Sequence, residues 1–183
     1  MIAFNSILIL LTAFLAVFCQ SASDTLPRWV GAQPDLLPAL MVYAALTAGP
    51  LTIAALALCG GLWLDSLSMN PLGLSVLPLV LIGWLISRQR ELLLSQQTFA
   101  QFMLGLVASA GAPLLALLLL LTSGRDPLVG WGTLWQLLVM TAVGGVATPL
   151  LFRFFSLLNQ TFGYQAADRP GFRTDREIRR GRT

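Results

Sequence analysis

Asp65 is the residue of this chain whose surroundings come closest to chemistry. It lies in Gly60-Gly61-Leu62-Trp63-Leu64-Asp65-Ser66-Leu67-Ser68-Met69-Asn70-Pro71-Leu72-Gly73, where an acid and several small polar groups interrupt two apolar runs. The run before it, Leu51 to Leu64, has 14 residues and the run after it, Leu72 to Ile86, has 15. Read locally, this is a helix end, a tight turn and a helix start. Asn70 is a suitable N-cap, Pro71 suits the first helical turn, and the side chains of Asp65, Ser66 and Ser68 can bond orphan backbone groups. Read in context, the acid is drawn into a bilayer or to its edge, where it faces protein and not lipid. A general acid/base pair would have to come from Asp35 and Asp65, and neither has an evident nucleophile or metal beside it. Ser66 and Ser68 read as caps. The chain has no His, and Cys19 and Cys59 each sit in an apolar run as small hydrophobes, not as a disulfide or a metal pair. It also lacks a Gly-rich phosphate loop and spaced carboxylates for a divalent ion. No enzymatic activity, metal or cofactor is expected.

The elements that carry these residues are membrane spans. Of 183 residues, 56% are hydrophobic and 10% charged, which is the composition of an integral membrane protein with one domain of several spans. Ile2 to Phe18 lacks a basic leader region, and Phe18 stands where a cleavage site needs a small residue, so it reads as a retained anchor. Gln20 to Asp35 is loop, with an interfacial Trp29. Gly49-Pro50 then divides Leu36–Ala48 from Leu51–Leu64, which leaves a hairpin of two short spans or one long bent helix, hence six spans or five. Ser87 to Gln97 reads as an amphipathic surface connector around Arg88 and Arg90. Phe99 to Leu121 is a full-length span whose Gly105, Ala108, Ser109, Gly111 and Ala112 offer a face for close helix packing. Leu134 to Leu158 is the last span, with Gly144-Gly145 and Pro149 as soft points and Arg153 near its exit. The expected architecture is all-α: a six-helix transmembrane domain over 1–164, with spans near 2–19, 35–48, 51–65, 71–87, 99–122 and 133–158. A basic cytoplasmic tail occupies 165–183.

All 11 basic residues are Arg, and seven follow residue 150. With six spans and both termini inside, Arg88, Arg90, Arg153 and the six tail arginines lie on the cytoplasmic side, against Arg28 and Arg125 outside. Asp35 and the Asp65 turn then face outward. The tail suits anionic lipid head groups or an acidic partner, or acts as a topology signal alone.

Gln33-Pro34-Asp35-Leu36-Leu37, the break at Gly49-Pro50, Gly61-Leu62-Trp63-Leu64-Asp65-Ser66-Leu67-Ser68, and Pro71-Leu72-Gly73 together resemble the bacterial rod shape-determining protein MreD family. The resemblance runs from about Asp35 to Tyr164 in the order and spacing of spans and includes Pro149 and Arg153. It implies a non-enzymatic scaffold of the cytoplasmic (inner) membrane, acting in the complex that lays down side-wall peptidoglycan and sets rod cell shape. The implied partners are the bitopic protein MreC and, in a larger complex, MreB, RodA and a class B penicillin-binding protein, with membrane lipid around them and no nucleic acid. The implied fold is similar to the six-helix substrate-binding subunits of energy-coupling-factor transporters. On this reading Asp35, Asp65, Ser68, Asn70, Pro71 and Gly73 form a structural or partner-contacting turn, and Arg88, Arg90 and Arg153 are cytoplasmic contacts. The competing expectation is a small-molecule-binding subunit of such a transporter, for which Tyr43, Ser75, Ser109, Gln136 and Thr141 are the polar groups within the spans.

Overall fold

The computed structural model describes residues 2–22, 35–68, 71–89, 98–124 and 130–163. Their regular structure is entirely helical, in six elements: α1 (Ile2–Ala22), α2 (Leu37–Thr47), α3 (Pro50–Leu67), α4 (Val76–Arg88), α5 (Thr98–Thr122) and α6 (Trp131–Gly163). Four of them, α1, α3, α5 and α6, are long and apolar enough to cross a membrane, whereas α2 and α4 have only 11 and 13 residues. Arg28, Asn70, Arg90, Arg125 and the tail from Tyr164 lie outside the described residues.

Gly49-Pro50 makes a hairpin and not a bend. Ala48 and Gly49 are extended (ψ 174° and 167°), and Pro50 opens α3 with its fixed φ and missing N–H, both suited to a first helical position. The chain reverses so completely that Leu37, at the start of α2, packs on Gly60 near the end of α3, where a Cβ would stand 3.1 Å from Leu37 Cδ2. The helices therefore alternate in direction. The starts of α2, α4 and α6 share one end of the bundle with the ends of α1, α3 and α5. We call this end the Asp65 pole, and the opposite end the Arg88 pole.

The core is built around α2. Every residue from Leu37 to Ala45 is buried, and this helix touches all five others. Apolar residues on every side leave no face suited to water, and Ala39, Ala44 and Ala45 let neighbouring helices approach closely. The surrounding helices bury stripes instead. In α1 these are Ile9, Ala13 and Val17, four residues apart, while Ile7, Leu11, Leu15 and Phe18 face outward. In α4 the buried stripe is Pro78, Leu79, Ile82, Gly83 and Ile86, with Leu77, Leu81, Trp84 and Leu85 exposed.

α5 and α6 meet through small residues. Gly105, Ala108, Ser109 and Ala112 of α5 are buried, and Gly105 and Ser109 lie directly against Gly144 and Thr148 of α6. Thr148 turns its hydroxyl back to the carbonyl of Gly144 (2.8 Å), whereas the buried hydroxyl of Ser109 in the same seam has no hydrogen-bond partner among the described residues. Gly144 and Gly145 are packing positions and not the soft points expected from sequence: a Cβ at Gly145 would come within 2.9 Å of Leu106 and 3.1 Å of Phe102. Gly111 sits at the edge of this face, where a Cβ would meet only Ile82, at 3.8 Å. Both helices run unbroken through Pro113 and Pro149.

A Cβ at Gly105 would stand 2.7 Å from the Gly144 carbonyl oxygen, a backbone atom that cannot step aside. Gly105→Ala should therefore lower stability by about 1–3 kcal/mol, the usual cost of overpacking. Gly132→Ala, where a Cβ meets nothing within 4 Å, should leave stability nearly unchanged. Unfolding of both variants in a neutral detergent checks the contrast.

Candidate functional site

The turn between α3 and α4 is held by one carboxylate. Asp65 is fully buried in the last turn of α3. Its Oδ2 accepts the Gly73 N–H at 2.8 Å and the Ser75 N–H at 3.1 Å, and its Oδ1 accepts the Ser75 hydroxyl at 2.5 Å. Gly73 can present its N–H in this way because it adopts φ +93°, a conformation costly for residues with a Cβ. The bonds also explain where α4 begins. Pro71 to Ser75 form a turn, with the Leu74 N–H bonded to the Pro71 carbonyl, and the helix starts at Val76, five residues after the 71 expected from sequence. Gly73 is outside helical geometry, and the N–H groups of Gly73 and Ser75 bond a side chain. Pro71 is therefore a turn residue and not a first-turn residue of the helix.

Ser75 is the N-cap of α4, but its hydroxyl donates to Asp65 instead of accepting from its own helix. The negative charge of Asp65 is thereby placed at the start of α4, where the helix dipole favours it. Close packing adds to the brace, since a Cβ at Gly61 would stand 3.0 Å from the backbone of Val76. Ser66 bonds the Trp63 carbonyl at 2.9 Å, and Ser68 closes α3 through its backbone N–H; neither side chain has a recorded bond to Asp65. From sequence, Asp65 reads as a local cap and Ser75 only as a candidate ligand group. The pairing has a signal, because Ser75 is a preferred cap residue just before the apolar run Val76–Ile86.

Asp35 caps a different helix at the same pole. Its Oδ1 accepts the Leu37 N–H at 2.9 Å, one of the orphan donors at the start of α2. Asp35 and Asp65 each hold the start of a different helix. Among the described residues no group of three metal-ligating side chains exists, and Cys19 and Cys59 are free and exposed.

A cavity of about 510 Å³ opens at this pole. Its polar groups are Gln20, Asp35, Ser68, Ser75, Thr133 and Gln136, and the rest of the lining is apolar, most of it from α5 and α6. Of the polar residues expected within the spans, Ser75 and Gln136 come together here. Ser109 lies in the α5–α6 seam, and Thr141 bonds its own helix at the Leu137 carbonyl (2.7 Å).

Tyr43 belongs to the opposite half. It stacks on Phe155 (4.2 Å between centroids) and meets Phe152 edge-on (4.9 Å), while its side chain shares hydrogen bonds with Thr47, Asn159 and Asn5. These contacts join α1, α2 and α6 and border a second, more open hollow of about 400 Å³. Arg88 and Arg153 are both exposed in this half, and the Arg88 guanidinium lies 5.4 Å from the Trp84 ring centre. They are separated from the Asp65 turn by the length of the bundle. The turn residues and the arginines are therefore two sites.

The arrangement defines a helical bundle with membrane-spanning character whose polar turn is a structural brace. No known family, curated protein or solved structure matches the chain.

Removing the brace leaves buried donors without a partner. Asp65→Ala should cost about 3 kcal/mol or more, and Ser75→Ala about 1.5–3 kcal/mol, as expected for bonds to a charged group; unfolding in detergent measures both.

Proposed function

We propose that the chain is a non-enzymatic membrane scaffold of the MreD type, acting in the peptidoglycan elongation complex and influencing rod cell shape through association with MreC. MreB, RodA and a class B penicillin-binding protein complete the assembly on this reading. The chain crosses the bacterial cytoplasmic membrane six times with both termini inside, so that the Asp65 pole faces outward and the Arg88 pole inward.

The observation that carries the reading is the complete internal use of Asp65. In a chain this apolar, a buried acid marks either chemistry or architecture. Here three donors from Gly73 and Ser75 occupy it, and the described residues hold no group of three metal ligands. What remains is a rigid outer turn on a bundle of exposed apolar helices, which suits recruitment by helix packing. Of the residues that carry the resemblance, Gly61 to Ser68 and Pro71 to Gly73 belong to this one braced unit. The sharing of one pole by Arg88 and Arg153 further supports the inward assignment of that end.

A second reading, a small-molecule-binding subunit of an energy-coupling-factor-type transporter, is favoured by the cavity beside Asp35 and Ser75. The two separate in one experiment. The tagged chain is purified in mild detergent with MreC of its own organism, beside Asp65→Ala, with helical content and elution volume checked for each. The scaffold reading expects MreC to co-purify with the wild type and to fall at least about threefold for the variant. Recovery of an ATPase module or a tightly held small molecule in place of MreC would support the transporter instead.

A further inference from the structure

The cavity at the Asp65 pole has a lining that neither brace nor scaffold explains. At about 510 Å³ it lies within the size range of small-molecule sites. Its lining divides by the elements that supply it. α5 and α6 contribute mainly apolar residues, Leu114, Leu117, Leu120, Leu134, Leu137 and Met140, with Thr133 and Gln136 among them. Ser68, Ser75 and Asp35 line it from the α3–α4 turn and the start of α2. Asp35 is the one charged side chain among the described lining residues, and no basic side chain stands among them.

The two acids of this pole are not equivalent. Asp65 accepts hydrogen bonds from three donors and is sealed from the cavity by full burial. Asp35 reaches the cavity and is bonded by the Leu37 N–H through one oxygen. A carboxylate drawn out of water is stabilised by a cation or a strong donor placed against it, and is further destabilised by an anion.

We propose that this cavity binds an amphiphile with an ammonium-type head, the head pairing with Asp35 and the apolar body lying along the leucines of α5 and α6. The form of the cavity agrees with such a ligand. From Pro113 to the end of α5, and from the start of α6 to Val143, no residue is fully buried, whereas Gly105, Ser109, Gly144 and Thr148 clamp the other halves of these helices. The hairpin is thus tightly closed at one half and leaves room at the other. The head could belong to an amino lipid or to a free organic amine, and both offer the same chemistry to Asp35. The inference does not rest on the scaffold reading.

The test uses 4-phenylbutylamine, 4-phenylbutanol and 4-phenylbutyrate, which share one apolar body and differ in the head. Binding to the purified full chain in neutral detergent at pH 7.5 is followed by calorimetry. The amine should bind saturably and about tenfold more tightly than the butyrate, the scale of one charge-assisted contact. Asp35→Asn keeps an acceptor for the Leu37 N–H, so the bundle should stay folded while the preference for the amine disappears and alcohol binding holds. Leu117→Trp, which fills the apolar wall, should weaken all three. A second arm places the chain in nanodiscs of phosphatidylglycerol with or without phosphatidylethanolamine. Competition by the latter identifies a lipid head as the source, and its absence a free amine, with amine binding to the site required in both. The proposal is overturned if no probe binds the wild type saturably, if the three bind alike, or if Asp35→Asn keeps the preference.

Discussion

A helix of 11 residues, nine of them buried in succession from Leu37 to Ala45, is the constraint on which the bundle depends. At about 1.5 Å per residue α2 is roughly 17 Å long, well short of a hydrocarbon layer of about 30 Å. Neither of its ends can therefore be left to solvent by simple extension, and each backbone group there must find a partner in the protein. Asp35 receives the Leu37 N–H at one end. At the other, the Ala48 N–H bonds the Ala44 carbonyl, Thr47 bonds the Tyr43 carbonyl, and the Gly49 carbonyl accepts from Thr52 and Ile53 of the next helix. The Gly49-Pro50 reversal follows from this shortness. A central helix that stops halfway has to hand the chain back along its own side.

The brace at Asp65 solves the related problem for α4, which is also short. An open turn between α3 and α4 would expose the first N–H groups of α4 in an apolar setting, where each missing bond is expensive. A carboxylate can accept several such bonds at once, and its charge is offset by the positive end of the helix dipole. A serine or asparagine cap would satisfy one donor from within its own helix. Asp65 satisfies donors across ten residues of chain and so ties two helices together. Gly73 is the residue that allows it, through its backbone conformation and not through lack of room.

Much of this is legible in the residues, for identifiable reasons. Composition announces the helices, because only such continuous apolar runs carry so little charge, and the Gly-Pro pair marks a true break. The small face of α5 can be read from Gly105, Ala108, Ser109 and Ala112, since small side chains are what close helix packing requires. Its partner cannot. Gly144 and Gly145 look like weak points in a helix until Ser109 and Leu106 are set against them, and that pairing is a fact of tertiary structure. The start of α4 is misread from sequence because Pro71 is a good first-turn residue in isolation. The more distant acid dictates the turn geometry, and local propensity gives way to it. Asp35, Ser68 and Ser75 line one cavity, but that cavity needs α5 and α6, which are remote in sequence.

The two poles then divide the work of the molecule. At the Arg88 pole, aromatic stacking on Tyr43 and a small-residue seam hold α2, α5 and α6 firmly, with two arginines displayed outside. At the Asp65 pole, the bonds of one carboxylate fix the α3–α4 turn while the facing halves of α5 and α6 stand away from it around a cavity. A site that is rigid on one wall and loosely packed on the other is suited to recognition, because the fixed wall positions the polar contact and the apolar wall can adjust to shape. The same residue type serves both needs. Asp65, sealed and fully bonded, contributes shape, and Asp35, bonded through one oxygen and reaching the cavity, contributes charge.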